Sequence, residues 1–181
     1  CVRVKIPPLP KASIVQALTQ KGYAARVGSL LAGLSDGTLG GALKLDPQKT
    51  LSVWDELDKL LGHFGAPSAL NAAIEWTTVL GSEISKLRKK DDTFPQVQAT
   101  FEIIIKSLRL WWRDTAVLAV TGDRSRLLGP PPSAAQLAWA EKLTADKLAK
   151  LEDSLSRLVD GLGRAMRLEI IFENYWLDVL E

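Results

Sequence analysis

The sequence predicts an all-α protein: a small three-helix piece over residues 1–45 followed by a helical bundle over residues 46–181. Three observations lead there. Apolar residues recur at steps of three and four in nearly every segment, Gly and Pro clusters fall between those segments, and no period-two run of useful length interrupts them.

Pro7-Pro8-Leu9-Pro10 cannot be helix interior, so the first helix begins after it. Lys11 to Lys21 carries Ile14, Val15 and Leu18 on one side and stops at Gly22. A second helix spans about Tyr23 to Leu34 with Val27, Leu30, Leu31 and Leu34 aligned, Ser35-Asp36-Gly37 turns the chain, and a third covers about Leu39 to Leu45. Pro47 suits a first helical turn and opens a helix to Phe64. Gly62 to Pro67 separates it from a helix over about 67–89, in which Ile74, Leu80, Ile84 and Leu87 recur.

From about Pro95 to Val120, Val97, Phe101, Ile104, Leu108, Trp112 and Thr115 mark the longest helix, the candidate centre of the bundle. Gly129-Pro130-Pro131-Pro132 then breaks the chain, and Ser133 is a plausible N-cap for a short helix to Leu143. Leu148, Leu151, Leu155, Leu158, Leu162 and Ala165 give the clearest period. Asp153 with Arg157 and Asp160 with Arg164 are opposite charges four apart, each worth about 0.2–0.5 kcal/mol to a helix. A last helix over about 168–180 is rich in large apolar groups.

Composition excludes several functions. At 181 residues the chain can bury roughly 68–70% of its unfolded surface, enough for real cores. One Cys allows no internal disulfide, and with one His it builds no Cys/His zinc site. With 23 Lys+Arg against 21 Asp+Glu, bulk charge does not mark a dedicated nucleic-acid binder. No run of about 18 apolar residues is present, and Cys1-Val2-Arg3-Val4-Lys5-Ile6 is neither a signal peptide nor led by Met. The chain reads as an internal fragment of a cytoplasmic protein with no membrane partner.

Catalytic, cofactor and metal residues are assigned to none. His63, between Gly62 and Phe64, is expected to favour a helix C-terminal dipole, and Cys1 is incidental. Ser35-Asp36-Gly37-Thr38-Leu39-Gly40-Gly41 lacks the strand before and the Lys-Ser/Thr after that a phosphate loop needs. It is expected to be a tight turn in which Gly37 supplies a positive φ and Gly40 and Gly41 permit close helix approach. Asp91-Asp92 reads as a solvated junction against the alternative of a metal site, and Lys86, Arg88, Lys89 and Lys90 complement a helix C-terminus, with a phosphate-contacting patch as the functional alternative.

Six tryptophans stand at 54, 76, 111, 112, 139 and 176. Adjacent helix positions point about 100° apart, so Trp111 and Trp112 are not expected to face one core. Aromatic residues enrich interface centres, which makes Trp111, Trp112, Arg113, Tyr175 and Trp176 the candidate subunit contacts, against the alternative that all pack inside the bundle.

Two stretches resemble the C-terminal half of the delta-prime subunit family of bacterial DNA polymerase III clamp loaders. The first runs Leu30-Leu31-Ala32-Gly33-Leu34-Ser35-Asp36-Gly37-Thr38-Leu39-Gly40-Gly41-Ala42-Leu43-Lys44-Leu45, where the family reads Leu-Ser-x-Gly-Ser-Pro-Gly-x-Ala-Leu. Leu34, Ser35, Gly37, Gly40, Ala42 and Leu43 match, while Thr38 replaces Ser, Leu39 replaces Pro, and Gly41 stands where several relatives are basic. The second stretch, residues 167–180, is similar to the family's last collar helix, and Leu110-Trp111-Trp112-Arg113-Asp114 to an apolar-Arg-Asp segment of the collar.

The resemblance implies a lid of an AAA+ module joined to a collar domain. It implies a non-catalytic part in the five-subunit ring that places the sliding clamp on primed DNA. Partners would be the delta and gamma/tau subunits, with DNA and clamp met only indirectly and no cofactor. The uncharged Gly41 fits a subunit that does not hydrolyse ATP. The alternatives are a gamma/tau-type ATPase C-terminal region, which would show an intact Gly-Lys-Ser/Thr loop upstream, and an unrelated helical adaptor that grips a peptide helix.

Overall fold

A computed structural model describes residues 7–64, 66–88, 94–163 and 168–180. Those residues form α1 (Lys11–Gln20), α2 (Ala25–Leu34), α3 (Leu39–Lys44), α4 (Pro47–Gly62), α5 (Ala69–Arg88), α6 (Phe94–Thr121), α7 (Ala134–Ala140), α8 (Ala145–Gly163) and α9 (Leu168–Leu180), with a single 3-10 turn at Arg124–Arg126 and no strand among them. The all-α expectation holds. Cys1, Lys89, Lys90, Asp91, Asp92, Arg164 and Ala165 lie outside the described residues, as do the side chains of Lys86 and Arg88.

Local chemistry sets the helix starts. Asp46 accepts from the Gln48 and Lys49 amides at 2.9 and 3.0 Å, with Pro47 in the first turn; such a cap contributes about 1 kcal/mol. Ser133 and Gln136 form a reciprocal capping box at the start of α7. Thr38 caps α3 by accepting from the Gly41 amide.

Helices α1 to α3 share a small core of Ile14, Leu18, Leu31, Ala32 and Ala42. They do not stand apart from the bundle. Leu30 and Leu34, on the other side of α2, belong to the large core with Trp54, Leu57, Ile104, Leu108 and Trp111. Helix α6 is the hub, packing against α2, α4, α5, α7 and α8, while α5, α9 and α8 lie side by side with α9 in the middle.

Central placement overturns the expectation for Trp111 and Trp112. A helix with neighbours around most of its circumference buries adjacent positions together, and Trp111 is 0% and Trp112 4% exposed. Trp111 donates to Asp58 Oδ1 on α4 at 2.9 Å, and Trp112 donates to Tyr175 Oη on α9 at 2.8 Å. Tyr175 and Trp176, each 1% exposed, lie in the same core. Edge-to-face pairs of Trp112 with Trp139 and of Trp76 with Phe172 and Trp176 carry that core from α7 to α5.

The α8 charges also differ from expectation. Arg157 donates to Asp178 on α9 at 2.7 Å, where Ser154 donates as well, so the acid across the interface takes the guanidinium rather than Asp153 of its own helix. Burial pushes the Asp178 carboxyl up, and the bonds from Ser154 and Arg157 outweigh it, so its pKa lies below the ordinary value.

Two glycines separate packing from propensity. A Cβ at Gly33 would sit 2.5 Å from the Leu128 carbonyl oxygen, whereas a Cβ at Gly40 would meet nothing within 4 Å. Gly33→Ala is expected to destabilise the protein by about 1–3 kcal/mol through overpacking. Gly40→Ala, inside a helix, should be neutral or stabilising by up to about 1 kcal/mol. Urea unfolding of the two variants tests this; equal effects would contradict the close approach of α2 to the 127–130 loop.

Candidate interaction surface

The lid-like motif forms the corner between α2 and α3. Ser35 is buried and donates from Oγ to the Ala32 carbonyl at 2.8 Å, closing the end of α2. Asp36 and Gly37 take φ values of 52° and 72°, and the Gly37 carbonyl accepts from the Leu9 amide at 2.8 Å. The positive φ expected of Gly37 is present, and the residue also leaves room for Pro8. Ala42 is fully buried in the small core. Gly40 brings no helix close, since the space beside it is open. Gly41 is the tight position, but the crowding comes from its own turn: a Cβ there would lie 2.6 Å from Thr38 Oγ1 and 2.8 Å from the Ser35 carbonyl oxygen.

Where α1 and α2 meet the bundle, polar groups converge on the loop after α6. Asp114, 1% exposed, accepts from the Leu128 amide at 3.0 Å, the Gly129 amide at 2.6 Å and Arg113 Nη1 at 2.5 Å. The same guanidinium donates to the Arg126 carbonyl at 2.9 Å. With the loop so held, the Gly129 carbonyl accepts from Lys11 Nζ of α1 at 2.7 Å and Ser29 Oγ of α2 at 2.9 Å, and Lys11 also donates to the Leu127 carbonyl at 3.2 Å. Burial pushes the Lys11 ammonium below its ordinary pKa, partly offset by the attraction of Asp114, with repulsion from Arg113 adding to the lowering. Arg113 thus spends donors on Asp114 and the Arg126 carbonyl while its side chain stays 41% exposed.

His63 is the C-cap of α4 and exposed, beside Lys59, Glu75 and Trp76. Among the described residues no three His, Cys, Asp or Glu side chains are placed to hold a metal ion, and no helix is long and apolar enough to cross a membrane.

What remains outward and apolar is different from the aromatic set. Leu70, Ile74 and Val79 on α5 and Ile170 and Leu177 on α9 are 42–56% exposed, and Val120 at the end of α6 is 81% exposed. Between the C-terminal half of α6 and the N-terminal half of α8 runs an open groove of about 640 Å³. Its walls include Ala116, Val117, Val120, Leu148 and Ala149. Leu148 belongs to the α8 leucine period and Val120 is apolar in the last turn of a long helix, whereas a single outward Val or Ala such as Ala116, Val117 or Ala149 carries no periodic signal.

No known protein family, curated protein or solved structure matches the chain.

Asp114→Ala would leave the Leu128 and Gly129 amides without their acceptor. A loss of about 1–3 kcal/mol in unfolding free energy is expected, because backbone amides at the junction lose their acceptor while the exposed Arg113 charge can turn to solvent. An equilibrium unfolding curve within about 1 kcal/mol of wild type would show that the junction contributes little.

Proposed function

We propose that the chain is a non-catalytic helical scaffold that joins other protein subunits, and that it is the lid and collar region of a delta-prime-type subunit of a bacterial clamp loader. In this reading residues 1–45 are the lid-like segment, residues 46–181 the collar, and the assembly is a cytoplasmic five-subunit ring that loads the sliding clamp on primed DNA. Delta and gamma/tau subunits are the direct partners, and DNA and clamp are reached only through them.

One observation carries the choice. The matched Leu34-Ser35-x-Gly37 and Gly40-x-Ala42-Leu43 positions form a helix, a positive-φ turn and a capped helix, in which Gly41 has no space for a side chain without moving Thr38 or Ser35. A basic residue aimed at nucleotide phosphates from this position, as in gamma/tau-type relatives, is disfavoured by that crowding. The buried Asp114, the half-buried Lys11 and the exposed Arg113 support the scaffold reading too, since their hydrogen bonds join elements of the chain itself.

A second reading, an unrelated adaptor that grips a helix, is favoured by the open α6/α8 groove. Size-exclusion chromatography with light scattering of the full-length protein, mixed with delta and gamma/tau subunits of its organism, separates the two. Co-elution as a five-chain complex is expected. A folded protein that elutes alone at micromolar concentrations would leave the adaptor as the surviving account.

A further inference from the structure

Where the end of α4, helix α7, the start of α8 and the end of α9 meet, they leave a pocket of about 170 Å³. Its aromatic floor is held in place. Trp139 donates from Nε1 to the Leu61 carbonyl at 3.0 Å, and its ring stands edge-to-face with Trp112 at 5.0 Å and tilted against Phe64 at 6.3 Å. Leu61, Phe64 and Leu180 extend the apolar wall. An indole fixed by a hydrogen bond and two rings keeps its position when a ligand arrives, so little ordering opposes binding there.

Among the described residues two cations and no acid line this pocket, Lys142 and Lys147. Lys147 Nζ lies 5.1 Å from the centre of the Trp139 ring, and neither ammonium has a carboxylate partner. Their sequence neighbours Glu141 and Asp146 are exposed and do not line the pocket, and Glu181 lies outside the described residues. An apolar floor beside two unpaired ammonium groups is complementary to a molecule that is flat and apolar at one end and anionic at the other. Volume narrows the choice. A cavity of roughly 150 Å³ admits benzene, so this one takes a single aromatic ring and leaves the charged end at the mouth.

We propose that the pocket binds a small aryl carboxylate, with its ring on Trp139 and Phe64 and its carboxylate on Lys142 and Lys147. The proposal is independent of the subunit reading, since no partner chain enters it.

The test titrates phenylpropionate into the whole, isotope-labelled chain and follows the indole N–H resonances, that of Trp139 being assigned with Trp139→Phe. A saturable shift of the Trp139 resonance in the millimolar range or below is expected. The neutral amide of the same acid should bind at least about tenfold more weakly, and so should the acid to a protein carrying Lys142→Met and Lys147→Met together. Methionine keeps an apolar stem over Trp139 while removing the charge. Unchanged resonances of the tryptophans remote from the pocket show that this variant folds. Absence of saturation, equal binding of acid and amide, or indifference to the loss of both lysines overturns the proposal.

Discussion

A carboxylate taken into a protein interior costs several kcal/mol unless its oxygens find donors there. Asp114 meets that condition with the amides of Leu128 and Gly129 and the guanidinium of Arg113, and in doing so it determines the path of the chain after α6. The loop so held offers the Gly129 carbonyl to Lys11 of α1 and Ser29 of α2, and approaches Gly33 so closely that no side chain fits there. The attachment of α1 to α3 thus draws on an acid of α6 as well as on the burial of Leu30 and Leu34 in the large core. Past the loop, Ser133 starts α7 and donates to Asp58 Oδ1 at 2.6 Å, the same oxygen that accepts from Trp111. Lid-like piece, central helix and α7 are consequently one connected structure.

Around this junction the aromatic residues act as filling rather than as contacts. Trp111, Trp112, Tyr175 and Trp176 satisfy the volume between α4, α6, α7 and α9, and the hydroxyl of Tyr175, pushed far above its ordinary pKa by burial, remains protonated and accepts from Trp112. The large apolar side chains that face outward are aliphatic, among them Leu70, Ile74 and Val79 on α5, Val120 on α6, and Ile170 and Leu177 on α9.

Helix positions were readable from the sequence because they follow from local rules: proline at a first turn, Ser133 as a cap, leucines at steps of three and four. Burial was less readable. The argument that neighbouring tryptophans cannot share a core holds for a helix with one buried side, and α6 has neighbours on most sides. Arg157 likewise had an acid available four residues back, yet Asp178 on another helix takes it, a choice that only the packing of α8 on α9 decides. Asp114 carried a weak signal, an acid inside the longest apolar run, but its partners lie on a loop whose course cannot be read from period or composition. The course of the groove had no signal beyond Val120 and Leu148, because it arises from the angle between two helices.

The central claim is that the Asp114 junction makes the first three helices and the bundle a single cooperative unit. Native-state hydrogen exchange of the Leu128 and Gly129 amides, compared with amides in the last turn of α2 and the middle of α6, tests it most directly. The account predicts that all of them exchange only through global unfolding, with the same free energy of opening. Loop-like exchange at Leu128 and Gly129, or opening of α2 at much lower free energy than α6, would contradict it.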